Sequence, residues 1–433
     1  MLFKKTNRIL LLIILLMGCI HSIPPVVSKA ELSANPEPDN LTASDSTDRL
    51  SAGWVEKIQD IPPQELAGKI FDTAQQKFVD FKTMMKDLES ARVVYVGETH
   101  DNLTHHQNQE KVLKALYETN QDLAIGMEMF QRPYQTHLDN YIARKLSEND
   151  LLEKTEYQAR WGFNWKMYRP LVSFAYDKNL KVIALNAPAE VNRRVARVGL
   201  KGLLPEERSM LPEEINTTDQ GHRDYVSKIF KSHLGTGMTP FTEEDFSNFY
   251  EGQCVWEDTM ADSIARYFKT DERVSSRMLI IVGSGHVIYR FGIPQRAARR
   301  TGLSYKTIVL MEAGTAQANE LLKDSKNKAF NNPGDYLWFT EINKFKDAII
   351  GFRAGLPQPG QNGILIESID PSVPAAKTDL KKGDLLIAID EQTVKKLDDL
   401  RNVLTNKKTG DIVELIVLRD NKKHKIKVEL TSR

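Results

Sequence analysis

The residues best equipped for chemistry in this 433-residue chain stand at the ends of apolar runs. One run leads into Gly97-Glu98-Thr99-His100 and another into Gly283-Ser284-Gly285-His286; between them come Gly126-Met127-Glu128 and Asn186-Ala187-Pro188. In open α/β sheets, ligands bind beyond the carboxyl ends of the strands, where side chains converge and loops are free to vary. Glycine ahead of each histidine lets the chain turn sharply and brings backbone close to a ligand. Glu98, His100, Glu128 and His286 would then face one crevice. Such a set can hold a divalent metal through His100, Glu128 and His286, or divide acid and base work near neutral pH. Histidine and tyrosine also ligate haem iron. A lone histidine is commonly just a hydrogen-bonded structural residue. Two Gly-x-x-His turns, with two glutamates, argue for function.

Several chemistries are excluded. No His-Glu-x-x-His helix occurs, so the familiar zinc protease arrangement is absent. No Cys-x-x-Cys-His occurs, which rules out the usual covalent attachment of haem. Gly283-Ser284-Gly285 has the wrong spacing for a nucleophile elbow.

The elements that must position these residues read as α/β. Apolar runs at Arg92–Val96, Leu123–Met129, Val182–Leu185, Met278–Val282 and Thr307–Met311 lack strict alternation, as strands buried on both faces do. Strands alternating with helices predict a mainly parallel sheet flanked by helices. Thr104 and Gln107 have capping-box spacing ahead of Val112, Leu113 and Leu116, and place His105 and His106 in the first turn of a helix. Two long stretches, about 131–180 and 187–275, interrupt the strand rhythm. The apolar stripe in 243–268, Tyr250 included, predicts a helix and part of a helical cap over one sheet edge. After about 340, short runs separated by turns predict a small β-rich domain with one helix at Leu397–Thr405.

Net charge is +1, with Lys and Arg scattered, so there is no electrostatic footprint for nucleic acid. The amino terminus reads as a secretory signal: Lys4, Lys5 and Arg8 precede an apolar run from Ile9 to Met17, then Gly18-Cys19. The run is about half the roughly 20 residues needed to span a bilayer. Leu16-Met17-Gly18-Cys19 resembles a bacterial lipobox, which implies acylation of Cys19 and a membrane anchor. Ile20 replaces the aspartate associated with inner-membrane retention, which points to the outer membrane where two membranes exist. Residues 20–60 read as a tether rich in Ser, Asp, Asn and Pro. Acylation of Cys19 would leave Cys254 without a disulfide partner.

Between about 65 and 320 the sequence resembles the ChaN family, haem-binding bacterial lipoproteins within the Tiki/TraB superfamily. The resemblance is carried by Val94-Tyr95-Val96-Gly97-Glu98-Thr99-His100-Asp101-Asn102, by Gly126-Met127-Glu128-Met129-Phe130 and by Ala184-Leu185-Asn186-Ala187-Pro188. It continues through Phe249–Gln253, Asp258–Ala261 and Gly283–Tyr289. The superfamily pattern of two Gly-x-x-His motifs and a glutamate falls on His100, His286 and Glu128. ChaN-like members imply haem and iron acquisition with a tyrosine as iron ligand; Tyr289 and Tyr250 lie inside matching motifs, with His105 and His106 as further cofactor candidates. Other superfamily members imply a metal-dependent hydrolase or peptidase using Glu98, His100, Glu128 and His286.

Residues 343–433 resemble the PDZ domains of bacterial periplasmic proteases, through Gly363–Ile366, Pro371–Ala376, Leu380–Asp384 and Leu397–Leu400. Ile350-Gly351-Phe352 is similar to the loop that holds a peptide's terminal carboxylate, and Ala354–Gln361 departs from the pattern. The resemblance implies a protein or peptide partner. Three functions follow as expectations: a lipid-anchored haem or iron binder of the envelope, a metal-dependent hydrolase that selects substrates by PDZ, or a non-catalytic PDZ scaffold. A homodimer is left open.

Overall fold

The computed structural model describes residues 53–432, apart from 233–241, 272, 274, 325–329, 331, 356–359 and 406. The signal segment, Cys19 and most of the tether lie outside the described residues. Packing divides the chain into two units, neither continuous in sequence. The first comprises the residues through His100 with Lys111–Gln135 and Leu180–Ile342; the second comprises Asp101–Glu110, Thr136–Asn179 and Asn343–Arg433.

The first unit is built on an eight-stranded sheet. Its strands are β1 (Ile70–Asp72), β2 (Lys77–Val79), β3 (Val93–Glu98), β4 (Leu123–Gln131), β5 (Val182–Asn186), β6 (Arg277–Gly283), β7 (Tyr305–Glu312) and β8 (Tyr336–Thr340). They lie in the order β2-β1-β8-β7-β3-β6-β4-β5. All neighbours from β8 to β5 are parallel, and the short β1 and β2 add an antiparallel edge. β3, β4 and β6 are buried at every position, which is why their sequences read as unbroken apolar runs. β1, β2 and β8 are not predicted, because three- to five-residue strands carry too little period to stand out.

Helices that bear on the site are α1 (Leu103–Thr119), α2 (Tyr157–Arg160), α3 (Trp165–Lys178), α4 (Ala189–Val198), α5 (Gln220–Ser232), α6 (Glu243–Thr270), α7 (Ile293–Thr301) and α8 (Leu397–Thr405). The predicted α6 and α8 are found. The predicted cap for α1 is displaced: Asn102, not Thr104, caps the helix, its Oδ1 accepting from the Thr104 and His105 amides at 2.8 and 3.2 Å. An Asn two residues before the expected cap supplies the same acceptor. The two helical stretches expected to form one cap separate: α4, α5 and α6 pack in the first unit, whereas α2 and α3 belong to the second.

The second unit carries the β-rich domain. A sheet ordered β10 (Phe352–Gly355), β11 (Ile364–Ile369), β12 (Leu385–Ile389), β14 (Ile412–Arg419), β15 (Lys422–Glu429) surrounds a core that includes Ile350, Ile366, Leu386, Val413, Leu415, Val417 and Val428. A separate pair joins β9 (Ala348–Ile349) to β16 (Thr431–Ser432), and β13 (Gln392–Thr393) pairs with β12. The Lys382-Gly383-Asp384 turn is fixed by buried Asp384, which accepts from the Lys381 amide at 2.9 Å and from Arg419 Nε and Nη2 at 2.7 and 2.8 Å.

Candidate functional site

Strand register brings the expected site residues of the first unit together. Glu98 and Gly283 are paired neighbours at the last positions of β3 and β6. On β4, four residue steps from Met127 to Gln131 span the same distance as two on β5, from Ala184 to Asn186. This irregularity re-aims the side chains at the strand end, as bulges beside functional sites do, and Glu128 lies within it. Glu128 Oε2 accepts the Gly283 amide at 2.7 Å, and the Glu128 carbonyl accepts Asn186 Nδ2 at 3.0 Å.

Two histidine–carboxylate groups result. His100 Nδ1 lies 2.8 Å from Glu98 Oε1. His286 lies between two carboxylates, its Nε2 3.4 Å from Glu128 Oε1 and its Nδ1 3.2 Å from Glu257 Oε1. The groups meet at Gly283: a Cβ there would stand 2.9 Å from His100 Cε1, 3.1 Å from His100 Nε2 and 3.6 Å from Glu128 Oε2. A Cβ at Gly283 would therefore push the His100 ring aside. Gly283→Ala should cost about 1–3 kcal/mol through overpacking and move the His100 imidazole signal in NMR; an unmoved signal would contradict this packing.

Glu257 was missed by the sequence reading, although α6 was anticipated. Its Oε1 accepts Gln253 Nε2 at 2.9 Å, and its Oε2 lies 3.0 Å from His222 Nε2 and 3.4 Å from Arg296 Nε. Arg296, from α7, also pairs with Asp258, which Arg300 reaches at 2.8 Å. Trp256 packs edge-on against His286, with ring centroids 4.8 Å apart. The available signal was Glu257-Asp258 inside an apolar helix: adjacent acids that are both fully buried demand cationic partners.

Burial works against charge at His100, His286, Glu128 and Glu257, and their partners reverse it. For His100, burial favours the neutral form, but the Glu98 hydrogen bond and the Glu128 charge outweigh it and raise the pKa. For His286, burial is likewise outweighed by Glu128 and Glu257, and the pKa is raised to about 10. Burial would raise both glutamates, yet His286 and His100 hold Glu128 low, and His222, His286 and Arg296 hold Glu257 low. The cation on His286 therefore adds stability that is complete below pH 6.5 and is lost as pH rises through about 10. Between pH 7 and 10 the Tm should fall at least about 4 °C further in the wild type than in His286→Gln. Parallel melting curves would contradict this.

The other expected ligands sit elsewhere. Tyr250 is fully buried, its hydroxyl donates to the Asp219 carbonyl at 3.1 Å, and burial raises its pKa. Tyr289 has a left-handed backbone (φ 55°), and its ring packs among Tyr225, Phe291 and Phe330 in the core. His105 and His106 are buried in the second unit, where His106 meets Tyr168 edge-on at 4.6 Å. Cys254 is a free buried thiol, pushed up to about 12 by burial. Among the described residues, no group of three His, Cys, Asp or Glu is gathered to hold a metal ion. The Glu98–His100 pair does fit a ligand role, because a carboxylate on one ring nitrogen orients the ring and leaves the other nitrogen to ligate.

In the PDZ-like region, Gly351 has φ 88°, and a Cβ there would come within 2.6 Å of Val373 Cγ2. Ile350 is buried, Phe352 begins β10, and β10 is an edge of its sheet.

Residues 84–297 match the family profile described as haem-binding uptake, Tiki superfamily, ChaN, and residues 344–430 match that of the PDZ domain. Over 336 residues the chain is 24% identical to Protein RETICULATA-RELATED 5, chloroplastic, of Arabidopsis thaliana, covering 71% of this chain and 44% of that protein. Over 74 residues it is 36% identical to a probable periplasmic serine endoprotease DegP-like of Halomonas elongata, covering 17% of this chain and 15% of that protein. The chain thus spans less than half the length of these relatives. The solved structure described as cofacial heme binding to ChaN of Campylobacter jejuni is 22% identical, with a TM-score of 0.48, and covers 62% of this chain and 95% of that one.

Proposed function

We propose that this chain, whose residues 84–297 match the ChaN haem-binding uptake family and whose residues 344–430 match the PDZ domain, is a lipid-anchored haem-binding protein of the cell envelope. The observation that supports this best is the Glu98–His100 pair: Glu98 on Nδ1, at 2.8 Å, would favour the tautomer in which Nε2 serves as a ligand atom. Haem, when bound, would supply an iron centre that such a histidine would hold. β10, at a sheet edge, would accept a partner's C-terminal peptide as an added strand, with the Ile350-Gly351-Phe352 loop taking its carboxylate.

Expression with a haem precursor, followed by haem and metal analysis of the purified protein, tests the binding. About one haem per chain or per dimer supports the reading; a haem-free protein that takes up none overturns it. The anchor is tested separately, by palmitate incorporation that Cys19→Ala abolishes.

A metal-dependent hydrolase is the second reading, favoured by the approach of His286 to Glu128 and of both His100 and Glu128 to Gly283. A stoichiometric divalent metal lost in His100→Ala, with peptidase activity lost alongside, would move the assignment there.

A further inference from the structure

The loop that follows His100 is tied to the segment that enters the PDZ domain. The Phe345 amide donates to the Asp101 carbonyl at 2.7 Å, and the Leu103 amide donates to the Asn343 carbonyl at 2.8 Å. Asn102, fully buried, forms an antiparallel bridge with Lys344 while its side chain caps α1. Side chains add to the tie: Lys344 Nζ meets Asp101 Oδ1 at 2.7 Å, and Asn343 Nδ2 donates to Thr104 Oγ1 at 3.1 Å. Two residues further on, Asp347 Oδ1 accepts Asn164 Nδ2 at 2.6 Å, and Asn164 in turn caps α3. α2 packs on α8, the helix of the PDZ domain, and Lys166 Nζ reaches the Lys407 carbonyl. All these contacts lie within the second unit.

The consequence follows from chain connectivity. Residue 101 is one peptide bond from His100, and residue 347 is three residues before the loop at Ile350. Residues 343–345 have committed backbone groups to 101–103, so a shift of that loop that reached residue 345 would be carried to 101–103.

We propose that Asn343–Asp347 is a strap that couples peptide capture by the PDZ domain to ligand binding at the Glu98–His100 strand end. It rests on the haem-binding reading for the identity of the ligand and on backbone hydrogen bonds for the coupling. Linkage makes the effect reciprocal: whatever factor haem imposes on peptide affinity, peptide imposes on haem affinity.

Hydrogen exchange on the mature full chain tests the strap without haem. The probe is a free-carboxylate peptide selected on that chain by C-terminal phage display, with its amidated twin as control. The free-carboxylate peptide should change exchange at residues 101–105 at least about fivefold. Haem should then shift the probe's Kd by about fivefold or more. Phe345→Pro, which deletes a donor, and the gentler Lys344→Ala should both shrink the shift while leaving peptide binding intact. Protection confined to 348–433, with 101–105 unchanged, would overturn the strap. Absence of haem uptake would instead sink the haem reading and leave the exchange result to judge the strap.

Discussion

Glu257→Ala should cost about 3–5 kcal/mol and bring the first unit close to unfolding at ambient temperature. Glu257 is fully buried and is the shared partner of His222, His286 and Arg296. Its removal leaves cationic groups in the interior with one carboxylate fewer, and an uncompensated buried charge is among the most expensive defects a fold can carry. Asp258 limits the damage, since it retains its pairs with Arg296 and Arg300. Glu257→Gln keeps the shape and should lose less. The measurement is a urea unfolding midpoint for each variant, and a loss under about 1 kcal/mol for the alanine variant would show that the network contributes little.

His100→Ala should weaken haem binding at least about 100-fold, and Glu98→Gln should weaken it about 10- to 100-fold, in line with the cost of removing a ligand and its orienting partner. Both changes are at the end of β3 and leave the sheet's apolar interior untouched. Protons compete with iron for the His100 ring, and its pKa is raised by Glu98 and Glu128 despite burial. Affinity should therefore fall as pH is lowered through the His100 pKa, and the fall should flatten in His100→Ala. Equilibrium haem titrations from pH 5 to 8 check both statements. Equal affinities for wild type and His100→Ala would remove His100 from the site.

The parallel sheet was legible because β3, β4 and β6 are buried on both faces and their sequences say so without interruption. The strand-end residues were legible for the same reason: Glu98, His100, Glu128 and His286 are polar exceptions at the tails of apolar runs. Glu257 was not, because its His222, His286 and Arg296 partners come from α5, the turn after β6 and α7, more than 25 residues away on each side. Tyr250 shows the converse. Its motif suggested a ligand, but its place on the apolar stripe of α6 decided its burial, as the helical period had indicated. The division into units was also hidden, because the bonds from 343–345 to 101–103 join segments over 200 residues apart with no pattern in either.

Whether His100 presents its ring to haem iron is decided by titrating haem into the tag-free mature chain and following absorbance. A saturable Soret shift is expected, one that His100→Ala abolishes or weakens at least about 100-fold. No saturable shift, on a protein shown to be folded, would contradict haem binding at this strand end.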